Sequence, residues 1–111
     1  MADTFRITLG QLNPTVGDIA GNAAKARAAW QAGRDAGADL VALPEMFITG
    51  YNAQDLVMKP AFHTAAMQAV EALALECADG PPLAIGCPWA EGTELFNAYL
   101  ICKGGKIASR V

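Results

Sequence analysis

The chain has 111 residues, 53% of them hydrophobic and 17% charged. That balance excludes intrinsic disorder, which needs low hydrophobicity and high charge, and the length suits one small domain. Eleven acids against eight bases leave a net charge of −3 and no basic stripe, which argues against nucleic acid as a partner.

No apolar run approaches the roughly 20 residues that span a bilayer. The start, MADTFRITLG, lacks the charged and apolar regions of a secretory leader. The expectation is a cytoplasmic protein with no membrane partner. Three cysteines, Cys77, Cys87 and Cys102, occur without a CxxC spacing and fit reduced thiols better than a disulfide framework. With His63 as the one histidine, no His-rich metal site is expected.

Residues 4–12, TFRITLGQL, read as a buried strand. NPTVGDIAGN then carries turn chemistry, and either Asp18 or Asn22 caps the helix that follows. That helix is predicted over about 19–37. Ile19, Ala23, Ala26, Trp30, Gly33 and Gly37 recur at spacings of three and four and form its inner face, with Arg27, Gln31 and Arg34 on the wet side. Gly37 ends it. Leu40 to Leu43 form a short buried strand, which makes a parallel, right-handed β-helix-β unit.

Residues 52–60 read as a loop or short helical turn. A second helix follows from about 61 to 78, with Phe62, Ala66, Ala69, Leu73 and Cys77 on one face, and Gly80-Pro81-Pro82 stops it. LAIGCP, 83–88, is the third strand and EGTE a turn. LFNAYLICK, 95–103, is the fourth strand. Gly104-Gly105 is a hairpin signal, and KIASRV begins a fifth strand in which the chain stops. The fold class is therefore α/β, in the order β-α-β-α-β-β-β. These helices cover one sheet face, whereas an α/β sheet normally buries both. Either a partner covers the other face or the chain is the front part of a longer protein.

The most informative stretch is LVALPEMFITGY, residues 40–51. Glu45 follows an apolar strand, at the end where open α/β sheets place their sites. Poorly solvated by Met46, Phe47 and Ile48, it is expected to have a raised pKa, which makes a Glu a useful general base. The plainer reading is a carboxylate bonded to nearby amides or facing water. Tyr51 either points its hydroxyl at a ligand or fills the core. Cys77 and Cys102 lie on apolar faces and read as core residues. Cys87, before Pro88-Trp89, has a more exposed place but no cationic neighbour in sequence, so a structural role is expected there too. His63 reads as an exposed polar residue, and Lys103 and Lys106 as solvated turn charges. Neither GxxxxGK[ST] nor GxGxxG occurs, so no ATP or dinucleotide loop is present.

The order Gln11…Asn13-Pro14-Thr15-Val16-Gly17-Asp18…Asn22, then Gly37-Ala38-Asp39-Leu40-Val41, Leu43-Pro44-Glu45 and Thr49-Gly50-Tyr51, resembles the carbon–nitrogen hydrolase (nitrilase) superfamily. QLNPTVGDIAGN and the run from Asp55 to Phe62, DLVMKPAF, look like the glutaminase domain of bacterial glutamine-dependent NAD synthetases. The resemblance implies an α-β-β-α sandwich with two sheets face to face, of which this chain is a partial copy truncated within its fifth strand. It implies a covalent mechanism, in which a Cys thiolate attacks an amide, a Glu acts as general base and a Lys supports the tetrahedral intermediate. Glu45 matches that base. Tyr51 matches the Tyr of the family's TGY turn and is a candidate for the amide pocket.

The family's Lys and nucleophilic Cys have no counterpart here, because both would follow Val111, and Cys77, Cys87 and Cys102 have the wrong context. Residues 1–111 are thus expected to be the N-terminal part of a glutamine amidohydrolase domain, inactive alone. The implied parent is a homo-oligomer that hydrolyses glutamine and passes ammonia to a synthetase domain using ATP and Mg²⁺, a domain absent from this chain. Two alternatives stand beside this: a piece of another nitrilase-type amidase, or a non-catalytic module that pairs its open sheet face with a partner.

Overall fold

The computed structural model describes residues 4–50 and 59–111. In chain order the elements are β1 (Ile7–Leu9), α1 (Ile19–Asp35), β2 (Leu40–Ala42), α2 (Pro60–Glu76), β3 (Leu83–Glu91), β4 (Glu94–Lys103) and β5 (Lys106–Arg110). The expected order β-α-β-α-β-β-β is the observed one. The five strands form one sheet in sequential order. β1, β2 and β3 run parallel, and β4 and β5 add antiparallel.

Several boundaries differ from the sequence reading. The first strand is three residues rather than nine, because its one partner, β2, is itself three residues long. The third strand extends past Pro88 to Glu91, where it turns through Gly92 and Thr93 into β4. Pro88 is tolerated because β2 pairs β3 at Leu83 and Ala84, leaving the missing N–H on an unpaired edge. The predicted Gly104-Gly105 hairpin is present, with both residues at positive φ (64° and 86°), as a two-residue primed turn requires.

Asp18, not Asn22, caps α1. Its carboxylate accepts the Gly21 N–H at 3.0 Å. The helix ends at Asp35, two residues before Gly37. Ala38 donates to the Gly33 carbonyl (2.9 Å) and Gly37 to Arg34 (3.0 Å), a Schellman closure with Gly37 at φ 77°. The buried residues of α1 are Asn22, Ala23, Ala26, Trp30 and Gly33, close to the predicted face. A Cβ on Gly33 would stand 2.4 Å from Val41 Cγ2, so the missing side chain lets α1 lie directly on β2.

The wet face of α1 is less free than its spacing suggests. Arg27 reaches α2 and donates from Nε and Nη2 to the two carboxylate oxygens of Glu76, and Arg34 lies 4.9 Å over the Trp30 ring. The Glu76 partner raises the Arg27 pKa, and Arg27 holds the Glu76 carboxyl below its usual range. Trp30 also donates its indole N–H to the Pro81 carbonyl at 2.8 Å, tying the start of β3 to α1.

Both helices pack on one sheet face. Val41, Leu43, Leu83, Ile85, Cys87, Ala98, Leu100 and Cys102 project from the strands into a core with Ala26, Trp30, Ala66, Val70 and Leu73. Each fully buried large aliphatic or aromatic side chain contributes about 1.5–3 kcal/mol by leaving water. The opposite face carries the alternate strand positions, Ile7 and Leu9 on β1 and Asn97, Tyr99 and Ile101 on β4. Ile7 and Leu9 remain 51% and 66% exposed, so this face is open at β1 among the described residues, whereas Ala84 and Pro88 on β3 are buried. This is the α-β half of the expected sandwich.

Candidate active site

β2 ends at Ala42, but the chain stays hydrogen-bonded along β3 while the turn at Glu45 and Met46 lies across Gly86. Leu43 N–H reaches the Ala84 carbonyl (2.8 Å), Gly86 N–H reaches Pro44 (3.2 Å), and Ile48 N–H reaches Gly86 (3.3 Å). The turn that carries Glu45 is therefore pinned on both sides of Gly86. A Cβ on Gly86 would lie 2.1 Å from Met46 N and 2.4 Å from Glu45 Cα, so only glycine lets the turn sit this close. Met46 is at φ 52°, the left-handed region that non-glycine residues seldom adopt. It is held there by its carbonyl, which accepts the Gly50 N–H at 2.8 Å and the Thr49 hydroxyl at 3.4 Å. Local strain of this kind persists where the surroundings over-determine it, and it clusters at functional sites.

A buried polar bracket supports the turn from behind. Asn22, fully buried, donates to the Thr15 carbonyl (2.8 Å) and the Ile48 carbonyl (3.0 Å), and accepts the Thr15 N–H (2.8 Å). It joins the loop before α1 to the segment after Glu45. Gly17 N–H adds a bond to the Thr49 carbonyl at 2.9 Å.

Glu45 thus stands at the carboxyl end of β2, as its sequence position indicated. Its surroundings differ from those expected. Phe47 and Ile48 are fully buried in the core and form no apolar wall around the carboxylate, which is exposed among the described residues. Glu45 faces β4 on the open side of the sheet. Asn97 Nδ2 lies 3.4 Å from Glu45 Oε2, and the Tyr99 hydroxyl donates to the Leu43 carbonyl at 2.7 Å. A 190 Å³ depression beside them is lined by Leu9, Gly10, Gln11, Ala42, Leu43, Pro44 and Tyr99. The larger groove, 580 Å³, lies between α2 and β5 and includes neither Glu45 nor its neighbours. An exposed carboxylate with no cationic partner among the described residues can take a proton from a group brought to it.

Tyr51 and the Asp55–Met58 part of the DLVMKPAF run lie outside the described residues; the rest of that run opens α2, with Pro60 at its first turn. The three cysteines are buried, including Cys87, for which the sequence suggested a more exposed place. Cys87 is enclosed because β3 continues past it and presents it to the core, where its thiol donates to the Pro88 carbonyl at 3.2 Å. Burial pushes the Cys87 thiol up to about 12, and Cys77 and Cys102 up to about 11. Such thiols are poor nucleophiles. His63 departs from the exposed position expected for it. It is half-buried, and its Nδ1 is buried without a hydrogen-bond partner among the described residues.

Sequence reasoning missed Gly86, Asn97 and Tyr99. A single glycine inside the apolar run LAIGCP was the available signal for a close backbone approach. The polar Asn97 on the alternate face of an apolar strand was the other.

Comparison with known proteins bears on this geometry. The carbon-nitrogen hydrolase family model matches residues 6–110. The chain is similar to the glutamine-dependent NAD(+) synthetase of Rhodobacter capsulatus, 62% identical over 110 residues, which cover 99% of this chain and 20% of that protein. Among solved structures it is similar to a glutamine-dependent NAD(+) synthetase from Cytophaga hutchinsonii, with a TM-score of 0.90 at 24% identity, covering 97% of this chain and 18% of that one. It is also similar to a C145A mutant of the Nesterenkonia AN1 amidase from the nitrilase superfamily, with a TM-score of 0.81 at 22% identity, covering 96% of this chain and 42% of that one. At these identities the two structures establish the fold. The chain spans about a fifth of the length of the synthetases it matches. With a family model matched along nearly its whole length and a nitrilase-type half-sandwich as its fold, the chain belongs to the carbon-nitrogen hydrolase family.

Proposed function

We propose that this chain is the N-terminal part of the glutamine-hydrolysing domain of a glutamine-dependent NAD synthetase, with Glu45 as its general base. The observation that carries the reading is the 62% identity to such a synthetase along 99% of the chain. The position of Glu45, at a strand's carboxyl end on the open sheet face, supports the role given to it.

In this reading Glu45 takes the proton of a cysteine thiol supplied by residues outside this chain. The thiolate attacks the side-chain amide carbon of glutamine, and a lysine, also from outside, stabilises the oxyanion. Glu45 returns the proton to the leaving nitrogen, and ammonia departs. It then deprotonates the water that hydrolyses the thioester to glutamate. Tyr51, from the TGY turn, is proposed to line the amide pocket. The parent is proposed to be a cytoplasmic homo-oligomer.

ATP with Mg²⁺ would activate deamido-NAD for the ammonia. The described residues hold no cluster of three or more His, Cys, Asp or Glu that could take the metal, and that chemistry is assigned to a synthetase domain outside this chain. Because the nucleophile and the lysine lie elsewhere, the 111-residue chain alone is proposed to be inactive, since a site that works as a unit loses most of its rate when parts are removed.

The test is Glu45→Gln in the full-length protein. Glutamine-driven NAD formation should fall by about 10²–10⁴-fold, while formation driven by added ammonium continues. Unchanged glutamine-driven synthesis would remove Glu45 from the mechanism. A full-length protein that hydrolyses amides but forms no NAD from either nitrogen source would replace the synthetase with a free amidase.

A further inference from the structure

We propose that Asn97 is a positioning residue for Glu45, holding one carboxylate oxygen so that the other is aimed at the reacting proton. This rests on the reading of Glu45 as general base. Register across the β3–β4 hairpin places Asn97 opposite Pro88 and Tyr99 opposite Gly86, on the sheet face that Glu45 occupies. Gly86 is the residue over which the Glu45 turn crosses, so Asn97 and Tyr99 flank that crossing. Tyr99 fixes the backbone by donating to Leu43, two residues before Glu45, at 2.7 Å. Asn97 reaches the side chain itself, with Nδ2 3.4 Å from Oε2.

The amide orientation follows from charge. Turned the other way, its oxygen would face the carboxylate, acceptor against acceptor. One N–H on Oε2 leaves Oε1 unengaged among the described residues and defines which oxygen accepts the proton. The distance is longer than the usual 2.9–3.0 Å, and catalytic hydrogen bonds commonly stand long in the absence of substrate and tighten when it binds. Asn97 is exposed, so its amide is not needed to fill the core.

The experiment uses the full-length protein and steady-state glutamine hydrolysis. Asn97→Leu and Asn97→Asp should lower kcat by about 10–100-fold with KM changed less than about threefold, since a loosened base affects the transition state rather than ground-state binding. The melting temperature should stay within about 2 °C of wild type, as for surface changes away from the core. A cycle with Glu45→Asp, whose shorter side chain withdraws the carboxylate from Asn97, should be non-additive: Asn97→Leu costs less than about twofold further in that background.

Wild-type kcat in both Asn97 variants overturns the proposal. So does a loss that multiplies fully with that of Glu45→Asp, or a fall in kcat matched by a large fall in melting temperature. If Glu45→Gln itself leaves glutamine hydrolysis intact, the general-base reading fails and this one with it. If Glu45→Gln is inactive while both Asn97 variants behave as wild type, only the positioning role fails.

Discussion

Replacing Gly86 by alanine tests whether the β3 crossing holds Glu45 in place. The new methyl would start 2.1 Å from Met46 N, 2.4 Å from Glu45 Cα and 2.5 Å from the Glu45 carbonyl carbon. All three are backbone atoms, so no side-chain rotation relieves the overlap. To regain ordinary contact at 3.4 Å the turn must withdraw by roughly 1.3 Å. Overpacking of this kind costs about 1–3 kcal/mol, and about 2 kcal/mol lowers the melting temperature of domains of roughly 150–250 residues by about 4–8 °C. A catalytic group displaced by about 1 Å loses about 100-fold in rate. The assay is glutamine hydrolysis by the full-length protein together with its thermal unfolding. Gly92→Ala serves as the control: its Cβ meets nothing within 4 Å, so it carries the backbone strain of φ 62° without touching the site and should leave kcat unchanged. Wild-type kcat in Gly86→Ala would refute the reasoning, because it would mean that Glu45 is aimed by something other than its passage over β3.

Three further outcomes follow from buried groups. Asn22→Leu strands the buried Ile48 carbonyl and removes two bonds to the part-buried Thr15 backbone, and should destabilise the domain by about 1–3 kcal/mol in denaturant unfolding; a loss under about 0.5 kcal/mol would show that the bracket is not structural. The thiols of Cys77, Cys87 and Cys102 have folded pKa values pushed up to about 11, 12 and 11, above an ordinary value near 9.0. Above pH 9 the unfolded chain therefore loses thiol protons that the folded chain keeps. Their contribution to stability is fully present below pH 9 and is lost as pH rises through about 11 to 12. At pH 8 these three thiols should react with a thiol reagent only on unfolding; rapid labelling of any of them in the native protein, located by mass spectrometry, would contradict the buried assignment.

Much of the architecture was legible before the structure. Spacings of three and four in IAGNAAKARAAW and PAFHTAAMQAV mark the two helices, and the apolar runs LVAL and LAIG mark two central strands. Glycine and proline supplied the punctuation at 37, 80–82 and 104–105. The strand bounds were less legible, because a strand's length depends on the partner it meets. TFRITLGQL has the composition of a nine-residue strand, yet three residues pair, since β2 offers three. Glu45 stood out in the sequence because it follows an apolar strand, at the end where open α/β sheets place their sites. Its solvation did not follow from its neighbours, since Phe47 and Ile48 turn inward and leave the carboxylate on the open face.

The sequence by itself determined the element order, the inner faces of both helices, the hairpin at Gly104-Gly105, and the place of Glu45 directly after an apolar strand. These are local properties. Burial of apolar side chains is non-directional, and its period along the chain reports which face leaves water without saying what that face meets. The tertiary structure decided the rest. It chose Asp18 over Asn22 as the cap, because Asn22 is engaged by Thr15 and by Ile48, 26 residues away. It made Gly86 indispensable by laying the Glu45 turn across it. It brought Asn97 to Glu45 over 52 residues of sequence. The last two depend on strand register, and a slip of one residue would carry Asn97 to the opposite sheet face. Directional contacts between distant segments exist only once that register is set.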